Sequence, residues 1–255
     1  MECLARGASA CVDSRMKCGG AVKRVARGCN DGRVAKRFLQ VPELVVGFDT
    51  ETTGLDVTVE RAISYGFCAY RYGKPEWSEQ FFVLPDRPIS AGAKRVHGLS
   101  VEDIEGKALT ETIYTVEAGL TRAADILRQY QEQSAYFVGS NLLRFDVEML
   151  FHSYQSVFLR TPESDGLNLS KLRIIDVVDH DLLIEPSRAK RPRRGLDNLC
   201  AHYGVKSGGH DALNDARAAV EVFFEQVLFN NAGQLALDLM ALPATPRDVH
   251  QMHDS

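Results

Sequence analysis

The stretch "VVGFDTETTGL", residues 45–55, decides how this chain is read. Four apolar or small residues, Val45 to Phe48 with Gly47 among them, lead straight into Asp49, Thr50 and Glu51. A run of that kind between turn signals reads as a buried strand. A carboxylate at the end of a buried strand costs free energy unless something pairs with it. Side chains two apart on a strand share a face, so Asp49 and Glu51 can serve one ligand. Two ionised carboxylates that close repel unless a cation lies between them, and hard oxygen donors suit Mg²⁺ or Mn²⁺. Taken alone, Asp-x-Glu also fits an exposed strand end or a turn.

Around this strand the pattern extends in both directions. "AISYGFCAYR" (62–71) and "EWSEQFFVLP" (76–85) read as two further strands joined through the turn "RYGK", which makes an antiparallel meander with the first. A loop carrying "HGLS" follows. Residues 115–133 are helical in pattern, with Val116, Leu120, Ala123, Ala124 and Leu127 on one face. "AYFVGSN" (135–141) reads as a short buried strand and "FDVEMLFHSYQSV" (145–157) as a helix. After a loop over 161–170, "LRIIDVVDHDLLI" is a strand running into a helix or turn, "LDNLCAHYGV" a short helix and "DALNDARAAVEVFFEQVLF" a long amphipathic one. Three strands followed by alternating helices and strands give an α/β fold, a mixed sheet with helices on its faces.

The bulk numbers agree with one domain and two tails. The chain has 255 residues and 45% hydrophobic content, enough for a full core. Its net charge of −4 does not mark a general nucleic-acid binder. Residues 1–40, however, hold nine Lys/Arg against three Asp/Glu, a basic arm ahead of an acidic body. Cys3, Cys11, Cys18 and Cys29 in that arm lack Cys-x2-Cys pairs, so a disordered, reduced arm is expected rather than a zinc module. Cys68 and Cys200 fall in element patterns and are expected in the core. No apolar run reaches the length of a membrane span and no secretory h-region is present.

Two more acidic motifs follow. "SNLLRFDVEML" sets Asp146 at a helix start, where an acid is also favoured by the helix dipole alone. "GGHDALNDARAAV" sets His210 five residues before Asp215, across a Gly-loosened loop; a cap at Asp211 and a solvated acid would look the same. The ordered set Asp-x-Glu, Asn-x4-Asp, His-x4-Asp resembles the DEDDh group of DnaQ-like 3′–5′ exonucleases, the DNA polymerase III epsilon-like exonuclease family. The resemblance runs from about Leu44 to about Phe229, and includes "VLPDRPISAGAKRVHGLSVEDI" and "GLDNLCAHYGV".

That resemblance implies a ribonuclease H-like fold over residues 41–230, between the 1–40 arm and a 231–255 tail. It implies two divalent ions, Mg²⁺ or Mn²⁺, with Asp49 bridging them, Glu51 and Asp215 completing the first site and Asp146 holding the second. His210 would be the general base, a role an imidazole fills near neutral pH. The glycines at 208 and 209 would let its loop move. Thr52, Gly54 and Leu55 resemble the family's 3′-nucleotide pocket, and His97 the residue of the "HGLS" turn that touches the terminal nucleotide; ordinary turn chemistry is the other reading of all four. Asn141 would fix the loop before Asp146.

Arg188, Lys190, Arg191, Arg193 and Arg194 are the strongest basic cluster of the acidic body, fit to track phosphates or to remain a solvated loop. "QLALDL" resembles a sliding-clamp docking peptide, with Gln234, Leu237 and Leu239 as its contacts; a packed amphipathic turn is the alternative. The sequence departs from the family at Ser140, where a His is usual, and at Ser64, where an acid is common on the second strand.

The expected function is removal of nucleotides from single-stranded 3′ ends of DNA, in proofreading or repair, with a sliding clamp or polymerase as partner in a bacterial cytoplasm. RNA trimming by the same chemistry, and a non-catalytic accessory of clamp or polymerase, are the rival readings.

Overall fold

The structure, a computed structural model, describes residues 41–185 and 195–229. The basic arm with its four cysteines, the Arg188–Arg194 cluster and the Gln234–Leu239 peptide lie outside the described residues.

The three expected strands form as β1 (Leu44–Thr52), β2 (Ala62–Arg71) and β3 (Lys74–Val83). Both neighbouring pairs are antiparallel, with Asp49 opposite Gly66 and Glu51 opposite Ser64. Then come α1 (Ala91–His97), α2 (Val101–Gly106), β4 (Ile113–Tyr114), α3 (Val116–Glu132), β5 (Tyr136–Gly139), α4 (Asp146–Phe158), β6 (Arg173–Asp176), α5 (Val177–Ile184), α6 (Leu196–Tyr203) and α7 (Ala212–Phe229). The six strands lie in the order β4-β3-β2-β1-β5-β6, with β5 parallel to β1 and β6 parallel to β5. This is the mixed sheet that the element pattern calls for.

The segment read as a loop around "HGLS" instead holds two short helices. Each starts at a serine whose hydroxyl accepts a backbone N–H, Ser90 from Ala93 and Ser100 from Asp103, and Gly98 closes α1 with a positive φ of 75°. Neither helix has the apolar face that periodicity detects: α1 buries nothing and α2 only Ile104. The 161–170 loop is similarly punctuated by two turns of 3₁₀-helix, Pro162–Asp165 and Leu169–Lys171.

Strand alternation divides the core in two. Val46, Phe48, Tyr65, Phe67 and Phe81 face α3 and α4, with Phe48 and Phe67 stacked at 4.7 Å between ring centroids. Val45, Cys68, Tyr70, Val138 and Ile175 face α6 and α7. The expected apolar face of α3 is buried in full, and Cys68 and Cys200 are both buried thiols.

Helix α7 approaches the sheet closely because two glycines on that face leave room for its backbone. A Cβ on Gly47 would lie 2.6 Å from the Ala216 carbonyl oxygen, and one on Gly66 only 2.2 Å from the Ala212 carbonyl carbon. Gly66 is the residue opposite Asp49, so the first turn of α7 rests directly beside the acid on β1. Gly66→Ala should therefore lower stability by about 1–3 kcal/mol through overpacking. It should also impair metal binding, because Asp215 rides on the displaced turn. Wild-type denaturation and Mn²⁺ affinity in that variant would show that the contact is not needed.

Candidate active site

The end of β1 presents Asp49 and Glu51 on the α7 face, and the first turn of α7 presents Asp215 to them. One oxygen from each of the three lies within 4.8 Å of the others. Asp146 reaches the same strand end from the opposite face, where Thr50 points. The Thr50 hydroxyl donates to Asp146 Oδ1 at 2.7 Å, and both side chains are buried. Asp146 sits at the start of α4 because Phe145 leaves the helical backbone there. The four carboxylates thus converge from three elements on one strand end.

Burial and mutual repulsion set the electrostatics of these acids. Burial pushes the Asp49 carboxyl well above the usual carboxylate range, and Asp146, Asp215, Glu51 and Asp211 all push the same way. Burial, then Asp215, Asp146 and Asp211, raise Glu51 to about 8. Asp146 is pushed up to about 7 by burial, against the Thr50 hydroxyl and nearby backbone N–H groups that favour its charged form. Asp215 is raised to about 6 by burial, with His210 opposing. Among the described residues no Lys or Arg forms an ion pair with any of the four. Crowded carboxylates without a protein cation fit a hard divalent ion, whose charge would reverse each of these shifts.

His210 is placed differently. It has a left-handed backbone, φ 60°, directly after Gly209 at φ 75°. Its ring is half-exposed and turned toward α6, with Nε2 3.9 Å from Asp197 Oδ2. The Ser207 hydroxyl donates to the other Asp197 oxygen. Gly208 is needed where it stands, since a Cβ there would lie 2.1 Å from Asp215 Oδ1. The loop therefore touches the acidic cluster through its backbone, and the imidazole, with Nε2 against Asp197, is still near enough to Asp215 to favour that carboxyl's charged form.

The expected nucleotide-contact residues lie along the exit of β1. The Thr52 hydroxyl donates to the Gly54 carbonyl at 2.7 Å, and Leu55 is 85% exposed beyond it. His97 is tied down at both ring nitrogens. The Leu99 N–H donates to Nδ1 at 3.0 Å, which leaves the proton on Nε2 to donate to the Thr52 carbonyl at 3.2 Å. Burial lowers its pKa, so the neutral ring joins the "HGLS" turn to the end of β1. Asn141 adopts a left-handed φ of 59° and its side chain is exposed. Its carbonyl accepts from the Phe145 N–H at 3.0 Å, which closes the turn leading into Asp146.

Sequence reasoning missed several supporting residues. Thr50 lies inside the opening motif but points to the other face, so only the helix packed there reveals its role. Asp176 ends β6, caps α5 by accepting the Val178 N–H at 2.9 Å, and has its carboxyl raised to about 6, first by burial. The acid closing the apolar run "RIID" repeats the signal that marked Asp49. Arg61 is buried and donates to the Ser156 hydroxyl at 2.7 Å, bracing the loop after β1 against α4.

Comparison with known proteins agrees with this geometry. The family model described as "Exonuclease" matches residues 46–223. DNA polymerase III subunit epsilon of Rickettsia conorii is 28% identical over 182 residues, which is 69% of this chain and 70% of that protein. E. coli exonuclease I in complex with a dT13 oligonucleotide superposes with a TM-score of 0.58 at 17% identity, over 76% of this chain and 42% of that one. Exonuclease I from Methylocaldum szegediense gives 0.60 at 18% identity, over 77% and 42%. The chain therefore spans less than half of the exonuclease I chains and shares their fold, which is ribonuclease H-like. No helix of the described residues is long and apolar enough to cross a membrane.

Proposed function

We propose that this chain, which belongs to the exonuclease family, is a divalent-metal-dependent enzyme of the DEDDh type that removes nucleotides from the 3′ end of single-stranded DNA. The observation that carries the reading is the cluster of Asp49, Glu51 and Asp215 oxygens within 4.8 Å, joined by buried Asp146. DNA is favoured over RNA by the polymerase III epsilon relative and by the oligonucleotide complex of exonuclease I. A replicative polymerase is, by the same relative's name, the partner of choice.

Phosphodiester hydrolysis needs an in-line water, a base for its proton and neutralisation of charge on the attacking and leaving oxygens. A pair of Mg²⁺ or Mn²⁺ ions, when bound, supplies the neutralisation. Asp49 would hold both, Glu51 and Asp215 the first, and Asp146 the second. Thr50 aims Asp146 and favours its charged form by donating to it. His210 would accept the proton of the attacking water as that oxygen bonds to phosphorus and the bond to the preceding nucleotide's 3′ oxygen breaks. A nucleoside 5′-monophosphate leaves and the strand keeps a new 3′ hydroxyl. For this the ring would turn about its side-chain bonds from Asp197 toward the attacking water. Exposed Leu55, beside the Thr52–Gly54 turn that His97 braces, would meet the terminal base.

The test uses 5′-labelled single-stranded DNA and RNA of one sequence, with Mn²⁺ or with EDTA, and wild type beside Asp215→Asn. Metal-dependent shortening of DNA from its 3′ end, lost in the variant, is expected. Shortening of RNA alone would move the substrate assignment to RNA. Shortening of neither would overturn the enzymatic reading.

A further inference from the structure

One rung of the sheet runs from Asp49 on β1 through Gly66 on β2 to Gln80 on β3. Residues on one rung share a face, so Gln80 looks toward α7 from the far side of the glycine on which that helix rests. Its Nε2 donates to Asp211 Oδ2 at 2.9 Å, with the Ser64 hydroxyl 3.4 Å away. The second oxygen of Asp211 accepts the Asn214 N–H at 3.0 Å, and the Asp211 carbonyl accepts the Asp215 N–H at 2.8 Å. Asp211 is thus bound to the helix by one carboxylate oxygen and to the sheet by the other.

The residue so anchored stands between His210 and α7. A non-glycine residue in the left-handed region is strained and holds that conformation only where its neighbours fix it. Gly209 before it gives no such constraint, so His210 is held by its own backbone N–H against the Asp215 carboxylate and, on the other side, by the anchored Asp211. The donor on β3 also adds no negative charge. Asp211 already adds its charge to those acting on Asp49, Glu51 and Asp215. An acid at position 64 or 80 would add another and repel Asp211, whereas serine and glutamine add none. Ser64 and Gln80 together thus give Asp211 a polar neighbour and a donor that bring no further negative charge.

We propose that Gln80 is a positioning residue of the active site, acting through Asp211 to fix the His210 backbone and the first turn of α7 against the rung that carries Asp49. The proposal rests on the exonuclease reading for its catalytic consequence, though not for its structural one.

The test is a set of full-length variants, Gln80→Met, Gln80→Glu and Gln80→Glu with Asp211→Asn, read by steady-state hydrolysis of single-stranded DNA and by amide hydrogen exchange over residues 208–214. Gln80→Met keeps the volume and removes the donor. It should lower kcat about tenfold with KM changed less than about twofold, and speed exchange in the segment by about tenfold, the scale of one hydrogen bond to a charged group. Gln80→Glu should be worse on both readouts. Adding Asp211→Asn should restore both toward wild type, because the pair then bonds with donor and acceptor exchanged. Wild-type kcat and exchange in Gln80→Met would overturn the proposal, as would a double variant no better than Gln80→Glu. If wild type hydrolyses no DNA, the exonuclease reading fails, and the exchange data still decide whether Gln80 fixes the loop.

Discussion

Replacing Asp49 by asparagine should cut hydrolysis of single-stranded DNA by about a thousandfold, the scale of losing one group that stabilises charge in the transition state. The same change should raise the melting temperature of the metal-free protein. Asparagine has the shape of aspartate, so packing at the end of β1 is preserved and only charge is removed. That charge is the one the surroundings oppose most consistently, through burial and through four other acids. Relief of about 1 kcal/mol corresponds to roughly 2–4 °C in a domain of this size. With Mn²⁺ present the order should invert, because the ion stabilises wild type and finds one ligand fewer in the variant. Enzymes whose active sites are strained by like charges show this opposition of activity and stability. Retention of more than about a tenth of the activity, which a spectator acid would allow, would remove Asp49 from the centre of the site. A lower melting temperature without metal would mean that its carboxylate has a stabilising partner.

The parts of this molecule that could be read in advance are those where the local signal and the tertiary role coincide. Strands β1 to β3 are written in β-branched and aromatic residues bounded by turns, and α3 in a spacing that buries Val116, Leu120, Ala123 and Leu127 together. Each of Asp49, Asp146 and Asp215 stands where an apolar pattern starts or stops, which is why three motifs sufficed to expect the cluster. Strand β4 carries no such signal. Its two residues are a strand only because Phe82 and Val83 offer them an open sheet edge. The helices α1 and α2 announce themselves by caps alone, Ser90 and the reciprocal Ser100–Asp103 pair, and caps without periodicity are easily taken for turns. Contacts between elements were beyond reach. Gly66 looks like any glycine in a strand until the Ala212 backbone is placed on it, and Gln80 like any exposed polar residue until Asp211 arrives. The direction of the His210 ring belongs to the same class, since it depends on Asp197 in another helix.

The metal-free protein should also lose stability as pH rises from 6.5 to 8, and Mn²⁺ should abolish that loss. Glu51 and Asp146 hold their protons up to about 8 and about 7 in the folded chain, against 4.5 and 3.8 for unperturbed groups. Between those limits the folded state binds more protons than the unfolded one, so the sign is fixed: stability is fully present below the unfolded values and is lost as pH climbs through the folded ones. Asp215, raised to about 6, has spent its share before the window opens. His97 and His180, whose pKa values burial lowers, work the other way, adding stability as pH rises toward 6.5. Their contribution tapers off just above that point, and from 6.5 to 8 the carboxylates set the sign. A divalent ion binds the deprotonated forms, so its affinity grows across the same interval. At a hundred times its dissociation constant it adds about 2.7 kcal/mol. Melting curves at pH 6.5 and 8, each with EDTA and with Mn²⁺, give the four values required. The EDTA pair should fall with pH, and the Mn²⁺ pair should stay level or rise. A flat EDTA pair would mean that Glu51 and Asp146 are ionised and compensated within the protein, and the case for a metal at the end of β1 would lose its electrostatic support.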